Sequence, residues 1–143
     1  MVLGIGADLL DARRVYRGLD AVGEAYIRRV FSLAEQACAG TRPDPQRYYA
    51  CAFCAKEAVF KALGLAGEGL DLQEIELTYR ETGAPQIRLT GALGRYAEER
   101  NLGPVLISLS GEGWMIQACA LVQERERERA PEREQTAPAP PGM

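Results

Sequence analysis

The segment from Asp44 to Gly64 predicts one long helix and constrains the fold more than any other part of the chain. Asp44 is a good N-cap residue, Pro45 suits a first helical turn, and Gly64 suits a helix end. Between them the sequence is rich in alanine and aromatic residues, so most of this helix is expected to be buried. Charged residues inside the stretch, Glu57 and Lys61 among them, therefore need a physical reason.

Two interpretations of Glu57 and Lys61 follow from their spacing. Residues four apart share one face of a helix, so these groups can act on one bound molecule while Phe53 and Phe60 flank them. Alternatively, together with Lys56 they form the solvated edge of a core helix and a weak internal ion pair. The helix alone leaves both the catalytic and the structural interpretation open.

The chain contains no histidine, which removes the commonest general base and transition-metal ligand from any mechanism. Catalysis would then use carboxylates, lysines, tyrosines or a hard metal ion. The length of 143 residues and the hydrophobic fraction of 47% fit one domain with a hydrophobic core. A net charge of −3 gives no electrostatic reason to expect nucleic acid as a partner.

The cysteines and the apolar segments bear on the cellular compartment. Four cysteines at irregular spacings do not form a secreted disulfide framework, so reduced thiols and a cytoplasmic location are expected. Cys51 and Cys54 have C-x-x-C spacing, but they lie inside the predicted helix, which disfavours a zinc or redox site. No stretch resembles an export signal or a membrane span, so no membrane partner is expected.

The order of predicted elements favours an α+β fold with two similar halves, each combining helices with a small antiparallel sheet. Residues 2–5 predict a short buried strand that ends near Asp8. The other predicted elements are helices at residues 11–17, 26–30, 32–38 and 90–101, the last capped by Thr90, and strands at residues 75–79, 86–89, 105–110 and 114–122. A glycine-containing turn is predicted at residues 65–69.

Residues 123–143 differ in composition from the rest of the chain. An alternation of glutamate and arginine gives way to alanine and proline, with almost nothing that a core could bury. A charge run can bind a partner, but a solvated tail is the simpler interpretation. We therefore expect one folded domain over residues 1–122 and a charged, then Pro/Ala-rich, disordered tail over residues 123–143.

Four short segments carry the clearest motifs. They are residues 4–15 (Gly-Ile-Gly-Ala-Asp-Leu-Leu-Asp-Ala-Arg-Arg-Val), 31–35 (Phe-Ser-Leu-Ala-Glu), 55–64 (Ala-Lys-Glu-Ala-Val-Phe-Lys-Ala-Leu-Gly) and 107–110 (Ile-Ser-Leu-Ser). In order and spacing, these segments resemble the motifs of the holo-acyl-carrier-protein synthase family of small phosphopantetheinyl transferases. The resemblance spans about residues 2–122. Lys-Glu-Ala-x-x-Lys alone is a weak motif, whereas the ordered set is specific.

The resemblance implies the 4′-phosphopantetheinyl transferase fold and a homotrimer with active sites between neighbouring subunits. Such enzymes move the 4′-phosphopantetheine arm of coenzyme A onto a serine of an acyl carrier protein, in fatty acid or polyketide biosynthesis. By position, Asp8 and Glu57 would hold Mg²⁺, and Glu57 and Lys61 would be catalytic. The residues expected to contact coenzyme A are Lys56, Lys61, Ser108 and Ser110.

An acidic acyl carrier protein is the macromolecular partner that the resemblance implies. Arg14 matches an arginine expected at the carrier contact, and Arg13, Arg17 and Arg28 extend a basic face around it. Opposite charges of this kind steer association. Ordinary solvated arginines are the alternative interpretation for the residues other than Arg14.

The chain departs from the family pattern at two positions expected near coenzyme A. Ala52 stands where the family usually has an arginine, and Gly111 stands where it has a histidine. The turn after the long helix reads Gly64-Leu-Ala66 in place of glycine-threonine-glycine, and Ala84 replaces a common hairpin lysine. The predicted metal and phosphate centre is therefore kept while its surroundings differ.

Three hypotheses accommodate these departures. In the first, the enzyme binds coenzyme A through substitutes such as Lys56, Arg47 or Arg88 and serves one dedicated carrier protein. In the second, the fold binds a carrier protein without transferring the arm. In the third, Glu57 acts as an acid or base, without metal, on a carrier-bound or small substrate, because apolar surroundings would raise its pKa.

Overall fold

A computed structural model describes residues 1–65 and 71–127. In chain order the elements are β1 (Val2–Asp11), α1 (Ala12–Val22), α2 (Glu24–Val30), α3 (Leu33–Gly40), α4 (Pro45–Ala62), a 3₁₀ turn (Leu72–Glu74), β2 (Ile75–Tyr79), β3 (Pro85–Leu89), α5 (Gly91–Glu99), β4 (Leu106–Glu112) and β5 (Met115–Gln123). Along the chain, four helices thus follow the first strand, and α5 lies between the β2–β3 and β4–β5 hairpins. The predicted α+β class is confirmed.

The strands form two antiparallel sheets. The larger has the order β1-β5-β4, and the smaller contains β2 and β3. In the larger sheet, Asp8 of β1 lies opposite Ala118 of β5, and Ser108 of β4 lies opposite Cys119. The first strand therefore pairs with the C-terminal hairpin, and this pairing brings the two ends of the domain together.

β1 is longer than its sequence pattern predicted. It runs over ten residues, so Asp8 lies inside the strand and not near its end. The predicted burial of residues 2–5 is also wrong, since Val2, Leu3 and Ile5 are 58%, 47% and 69% exposed. The strand continues because its residues pair with β5 as far as Asp11, and its glycines permit close contact with α4.

Helix α4 packs on the inner face of the larger sheet and forms the centre of the core. The predicted start is confirmed, because Asp44 Oδ1 accepts a hydrogen bond from the Arg47 backbone nitrogen at 3.1 Å. All five alanines in the helix are buried, namely Ala50, Ala52, Ala55, Ala58 and Ala62. Small side chains allow the helix to lie close to the strands.

The β2–β3 hairpin packs beside α4. Tyr48 donates its hydroxyl to the carbonyl of Leu77 at 2.6 Å, and Gly83 in the turn has a φ of 85°. Thr90 precedes α5 as predicted but makes no side-chain capping bond. Instead, Glu74 accepts hydrogen bonds from two backbone nitrogens of the first turn, at 3.1 Å and 3.0 Å. A carboxylate from a distant segment therefore caps this helix.

Two predictions fall wholly or partly outside the described residues. Residues 66–69 of the predicted turn lie there, as do residues 128–143 of the predicted tail. Gln123 ends β5, Glu124 forms an isolated bridge with Leu102, and Arg125 pairs with Glu98, so the ordered domain extends beyond the predicted boundary at residue 122. Among the described helices, none is both long and apolar enough to cross a membrane.

Candidate active site

Two glycines in β1 position the candidate site. A Cβ atom at Gly4 would lie 1.9 Å from the carbonyl oxygen of Ala62, and one at Gly6 would lie 2.0 Å from that of Ala58. Only glycine therefore allows the strand to lie directly against the backbone of α4. This close contact brings the next inward-facing residue of the strand, Asp8, to the helix.

Asp8 and Lys61 form an ion pair between β1 and α4. Lys61 Nζ lies 3.0 Å from Asp8 Oδ1 and also donates to the carbonyl oxygen of Ala7 at 3.0 Å. The lysine side chain is 52% exposed, whereas that of Asp8 is 17% exposed. The backbone carbonyl of Asp8 accepts from the thiol of Cys54 at 3.5 Å. Helix side chains thus contact both the carboxylate and the backbone of this strand position.

Glu57 lies on the same side of α4, one turn before Lys61. Burial raises the pKa of the Glu57 carboxyl, the charge of Asp8 raises it further, and Lys61 partly opposes both effects. Two carboxylates therefore lie close enough to repel each other. The internal Glu57–Lys61 ion pair considered from the sequence does not form, because Lys61 pairs with Asp8.

The donor set fits a magnesium ion. Mg²⁺ is commonly bound by one or two carboxylates, with phosphate oxygens and water completing its coordination. Asp8 and Glu57 supply two carboxylates whose mutual repulsion a divalent cation would relieve. Within residues 1–65 and 71–127 there is no cluster of three or more metal-binding side chains, so the protein would not enclose the ion alone.

Lys56 does not lie at this site, and its predicted contact with coenzyme A is wrong. Its side chain is fully buried and pairs with Glu35, with Nζ 2.5 Å from Oε1. It also donates to the carbonyl oxygens of Leu72, at 2.8 Å, and Ile75. All three ammonium hydrogens thus have acceptors inside the core.

Glu35 is the residue that the sequence analysis missed. Burial raises the pKa of the Glu35 carboxyl and lowers the pKa of the Lys56 ammonium, while their mutual attraction opposes both shifts. Glu35 also accepts from the backbone nitrogens of Ser32, at 3.1 Å, and Leu77, at 3.1 Å. The Ser32-x-x-Glu35 capping box was the available signal.

Ser108 and Ser110 lie on the other face of the sheet. Both are exposed, and they lie opposite Cys119 and Gln117 of β5. This is the outward face, whereas Asp8 lies on the inward face beside α4. Within one protomer, these serines are therefore not brought together with Asp8. Their predicted contact with coenzyme A requires a site shared between copies.

The predicted basic face is exposed on α1 and α2. Arg13 is paired with Asp11 at 2.6 Å, and its hydrogen bonds hold the pKa of that carboxyl at about 2. Arg28 is paired with Glu24 at 3.3 Å. Arg14 and Arg17 are exposed and appear in no ion pair within the described segments. Part of the predicted positive charge is therefore neutralised.

A cavity of about 670 Å³ opens beside Phe53, one turn before Glu57. It lies between α2, the 3₁₀ turn and α4. The lining residues are Tyr26, Arg29, Val30, Phe53, Asp71, Leu72 and Gln73. Of these residues, Phe53 alone was predicted from the sequence to flank a candidate site. Its lining includes none of Asp8, Glu57 and Lys61.

Comparison with known proteins gives a consistent family assignment. The family model described as the 4′-phosphopantetheinyl transferase superfamily matches residues 4–119. The holo-[acyl-carrier-protein] synthase of Desulforudis audaxviator is 40% identical over 121 residues, covering 85% of this chain and 92% of that protein. The enzyme of the same name from Mesorhizobium japonicum is 33% identical over 138 residues, covering 92% and 99%.

Solved structures share the fold. The crystal structure of holo-[acyl-carrier-protein] synthase from Neisseria meningitidis superposes with a TM-score of 0.81 at 28% identity, covering 87% of this chain and 100% of that one. The Plasmodium yoelii acyl carrier protein synthase with ADP bound gives a TM-score of 0.79 at 29% identity, covering 88% and 98%. By sequence and by fold, this chain belongs to the 4′-phosphopantetheinyl transferase superfamily.

Proposed function

We propose that this protein transfers the 4′-phosphopantetheine arm of coenzyme A to a serine of an acyl carrier protein. The observation that carries the proposal is the convergence of Asp8, Glu57 and Lys61 on one partly exposed edge of α4. The names of the relatives, holo-[acyl-carrier-protein] synthase, support the acceptor. The bound ADP named for the Plasmodium structure supports a nucleotide diphosphate as the ligand type.

The proposed reaction is a phosphoryl transfer. The serine oxygen bonds to the phosphorus that carries the pantetheine arm, and the bond from that phosphorus to the bridging oxygen breaks. Adenosine 3′,5′-bisphosphate leaves with the electron pair, and the serine proton passes to Glu57.

Asp8 and Glu57 would hold Mg²⁺, as their paired carboxylates suit it. When bound, the ion would neutralise charge on the diphosphate. Glu57 has two carboxylate oxygens, so ligation through one leaves the other to accept a proton. Lys61 is half exposed beside Asp8 and would offset charge on the leaving phosphate.

The active form in this proposal is a homotrimer with sites between subunits. Leu3, Ile5, Leu9 and Leu106 form an exposed apolar patch on the outward face of the larger sheet. Patches of this kind mark interfaces between proteins. Assembly through this face would also bring Ser108 of one copy to the cleft of the next.

The proposed acceptor is an acidic carrier protein dedicated to one pathway in the cytoplasm. Arg14 and Arg17 are exposed on α1 and would attract its negative surface. The main alternative is that Glu57 acts as an acid or base without metal, which its raised pKa favours. Binding of a carrier protein without transfer is the other alternative.

Intact mass spectrometry of several apo-carrier proteins tests the proposal. Each carrier is incubated with this protein, coenzyme A and Mg²⁺, and parallel reactions contain a chelator or the Asp8→Ala variant. A mass gain equal to phosphopantetheine, lost with the chelator and with the variant, is the expected result. A gain that survives chelation would contradict the role of Mg²⁺. No gain on any carrier would contradict the transferase.

A further inference from the structure

A second cavity, of about 290 Å³, lies between the start of α4 and the end of β2. Its lining residues are Arg42, Pro43, Asp44, Arg47, Tyr48, Cys51 and Tyr79. Both arginines are partly buried, and two aromatic rings form much of the wall. The proposed mechanism makes no use of this cavity, whose charged lining residues are two arginines and Asp44.

Arg47 is held in this cavity by the turn between β4 and β5. Its Nη1 donates to the carbonyl oxygen of Gly113 at 3.1 Å. A Cβ atom at Gly111 would lie only 2.5 Å from its Nη2. The guanidinium, at the end of a flexible side chain, therefore lies where a side chain at position 111 would begin, and the carbonyl oxygen of Met115 is 3.1 Å from the same point.

Arg42 places a second positive charge in the same cavity. Its guanidinium lies over the ring of Tyr79, 4.2 Å from the ring centroid. In the described parts of the chain, neither Arg42 nor Arg47 forms an ion pair with a carboxylate. The carboxylate of Asp44 accepts the Arg47 backbone N–H as the helix cap. Two side-chain cations are thus available to an anionic ligand.

We propose that Arg47, assisted by Arg42, binds the 3′-phosphate of coenzyme A, and that Gly111 makes this contact possible. The inference rests on the proposed function. Coenzyme A has two anionic parts, the reacting diphosphate and the phosphate on its ribose. Guanidinium groups suit phosphate because their parallel N–H donors match its oxygens.

The position of Arg47 along α4 assigns it to the ribose phosphate. Ten residues, or about 15 Å of helix axis, separate it from Glu57. One phosphate group cannot contact both residues, and the diphosphate is the part that reacts at Glu57. Arg47 therefore serves the other anionic part, of the same bound molecule or of one shared with a neighbouring copy.

The other substitutes considered from the sequence do not fit this role. Lys56 is buried and fully hydrogen-bonded. Arg88 lies on β3 and is paired with Glu76 at 3.5 Å. A side chain at position 111 would compete with the Arg47 guanidinium for one space in its present position.

Calorimetric titration with two ligands tests the role of Arg47. Coenzyme A and dephospho-coenzyme A, which lacks only the 3′-phosphate, are titrated into the full chain with Mg²⁺. Arg47→Ala is expected to weaken coenzyme A binding by about 10-fold to 100-fold while leaving dephospho-coenzyme A binding unchanged. Arg95→Ala removes an exposed arginine on α5 and should change neither affinity. Equal effects of Arg47→Ala on both ligands, or no effect, would overturn the inference.

Gly111→Ala tests the shared space. The new methyl group should displace the guanidinium and weaken coenzyme A binding, whereas the double variant with Arg47→Ala should bind no more weakly than Arg47→Ala alone. Additive losses would overturn the link between the two positions. If the wild-type protein bound neither ligand, the proposed function itself would fail. If it transferred the arm but ignored the 3′-phosphate, only this inference would fail.

Discussion

Lys61 on α4 and Asp8 on β1, 53 residues apart in the chain, lie with Nζ and Oδ1 3.0 Å apart. The pair joins the two elements at the site where the carboxylates meet. Since the lysine is half exposed, water screens the attraction, and the pair contributes little to folding. The pair is therefore better explained by a role in the proposed reaction than by a contribution to the free energy of folding.

Separate effects on activity and stability are expected from Asp8→Asn and Lys61→Met. Each change should lower the transfer rate by more than about 100-fold, because Asp8→Asn removes a proposed Mg²⁺ ligand and Lys61→Met removes the positive charge proposed to face the leaving phosphate. Each should change the free energy of unfolding by no more than about 1 kcal/mol. Urea unfolding and mass-based transfer assays on the same samples measure both effects. A large loss of stability would mean that the Asp8–Lys61 pair is structural. Asp20→Asn, on the exposed end of α1, serves as a control that should change neither the transfer rate nor the stability.

Gly6→Ala should destabilise the protein. The new Cβ atom would overlap the carbonyl oxygen of Ala58, which belongs to the rigid backbone of α4, so about 1–3 kcal/mol or more should be lost. Gly40→Ala is the matched control, because no heavy atom lies within 4 Å of its added methyl group. Urea unfolding of both variants gives the comparison. Equal stabilities would show that β1 does not press against the helix as described.

Lys56→Met should destabilise the protein by about 3–5 kcal/mol, because it leaves Glu35 charged and unpaired in the core. Adding Glu35→Gln should recover part of the loss. Burial raises the pKa of Glu35 in the folded state, and loss of the lysine charge should raise it further. A raised folded-state pKa gives stability at low pH that is lost as pH rises through that value.

The deficit of Lys56→Met should therefore be smaller at about pH 5 than at about pH 8. Chemical unfolding of wild type, Lys56→Met and the double variant at both pH values measures the difference. A deficit that did not change with pH would show that Glu35 is not the source of the cost. Equal losses of unfolding free energy for Lys56→Met and for the double variant would also show that Glu35 is not the source of the cost.

Ile5→Asp should break the proposed trimer. Its side chain is 69% exposed on the outward face of β1, so a carboxylate there costs one protomer little but opposes burial between copies. Sedimentation analysis should show a trimer for wild type and a monomer for the variant. Leu33→Asp, at an 81% exposed position off the sheet, should stay trimeric. A trimeric Ile5→Asp protein would place the interface elsewhere.

The long helix could be predicted because its signals are local. Asp44 and Pro45 mark its start within a few residues, and the spacing of Glu57 and Lys61 follows from helix geometry. The partner of Lys61 could not be predicted in this way, since Asp8 reaches it only through the glycine contacts of β1. Contacts between distant segments leave no periodic pattern in the sequence.

Lys56 is a second residue whose contacts could not be predicted from the sequence. Its neighbour in sequence is Glu57, so a shared role at the site was a natural hypothesis, but adjacent helix positions point about 100° apart. Lys56 turns inward to Glu35, whereas Glu57 is partly exposed. The capping box around Glu35 indicated a helix start but not that the same carboxylate also binds a lysine in the core.

The alternation along β1 assigns its two faces to different tasks. Gly4, Gly6 and Asp8 face the helix, and Ile5 and Leu9 face outward. Deleting the one residue between Gly6 and Asp8 would exchange the inward and outward faces for all strand residues on one side of the deletion. The carboxylate would then point away from Glu57 into the apolar patch. A reading-frame-preserving loss of one codon there would thus remove the proposed metal ligand and place a charge in the proposed trimer contact at once.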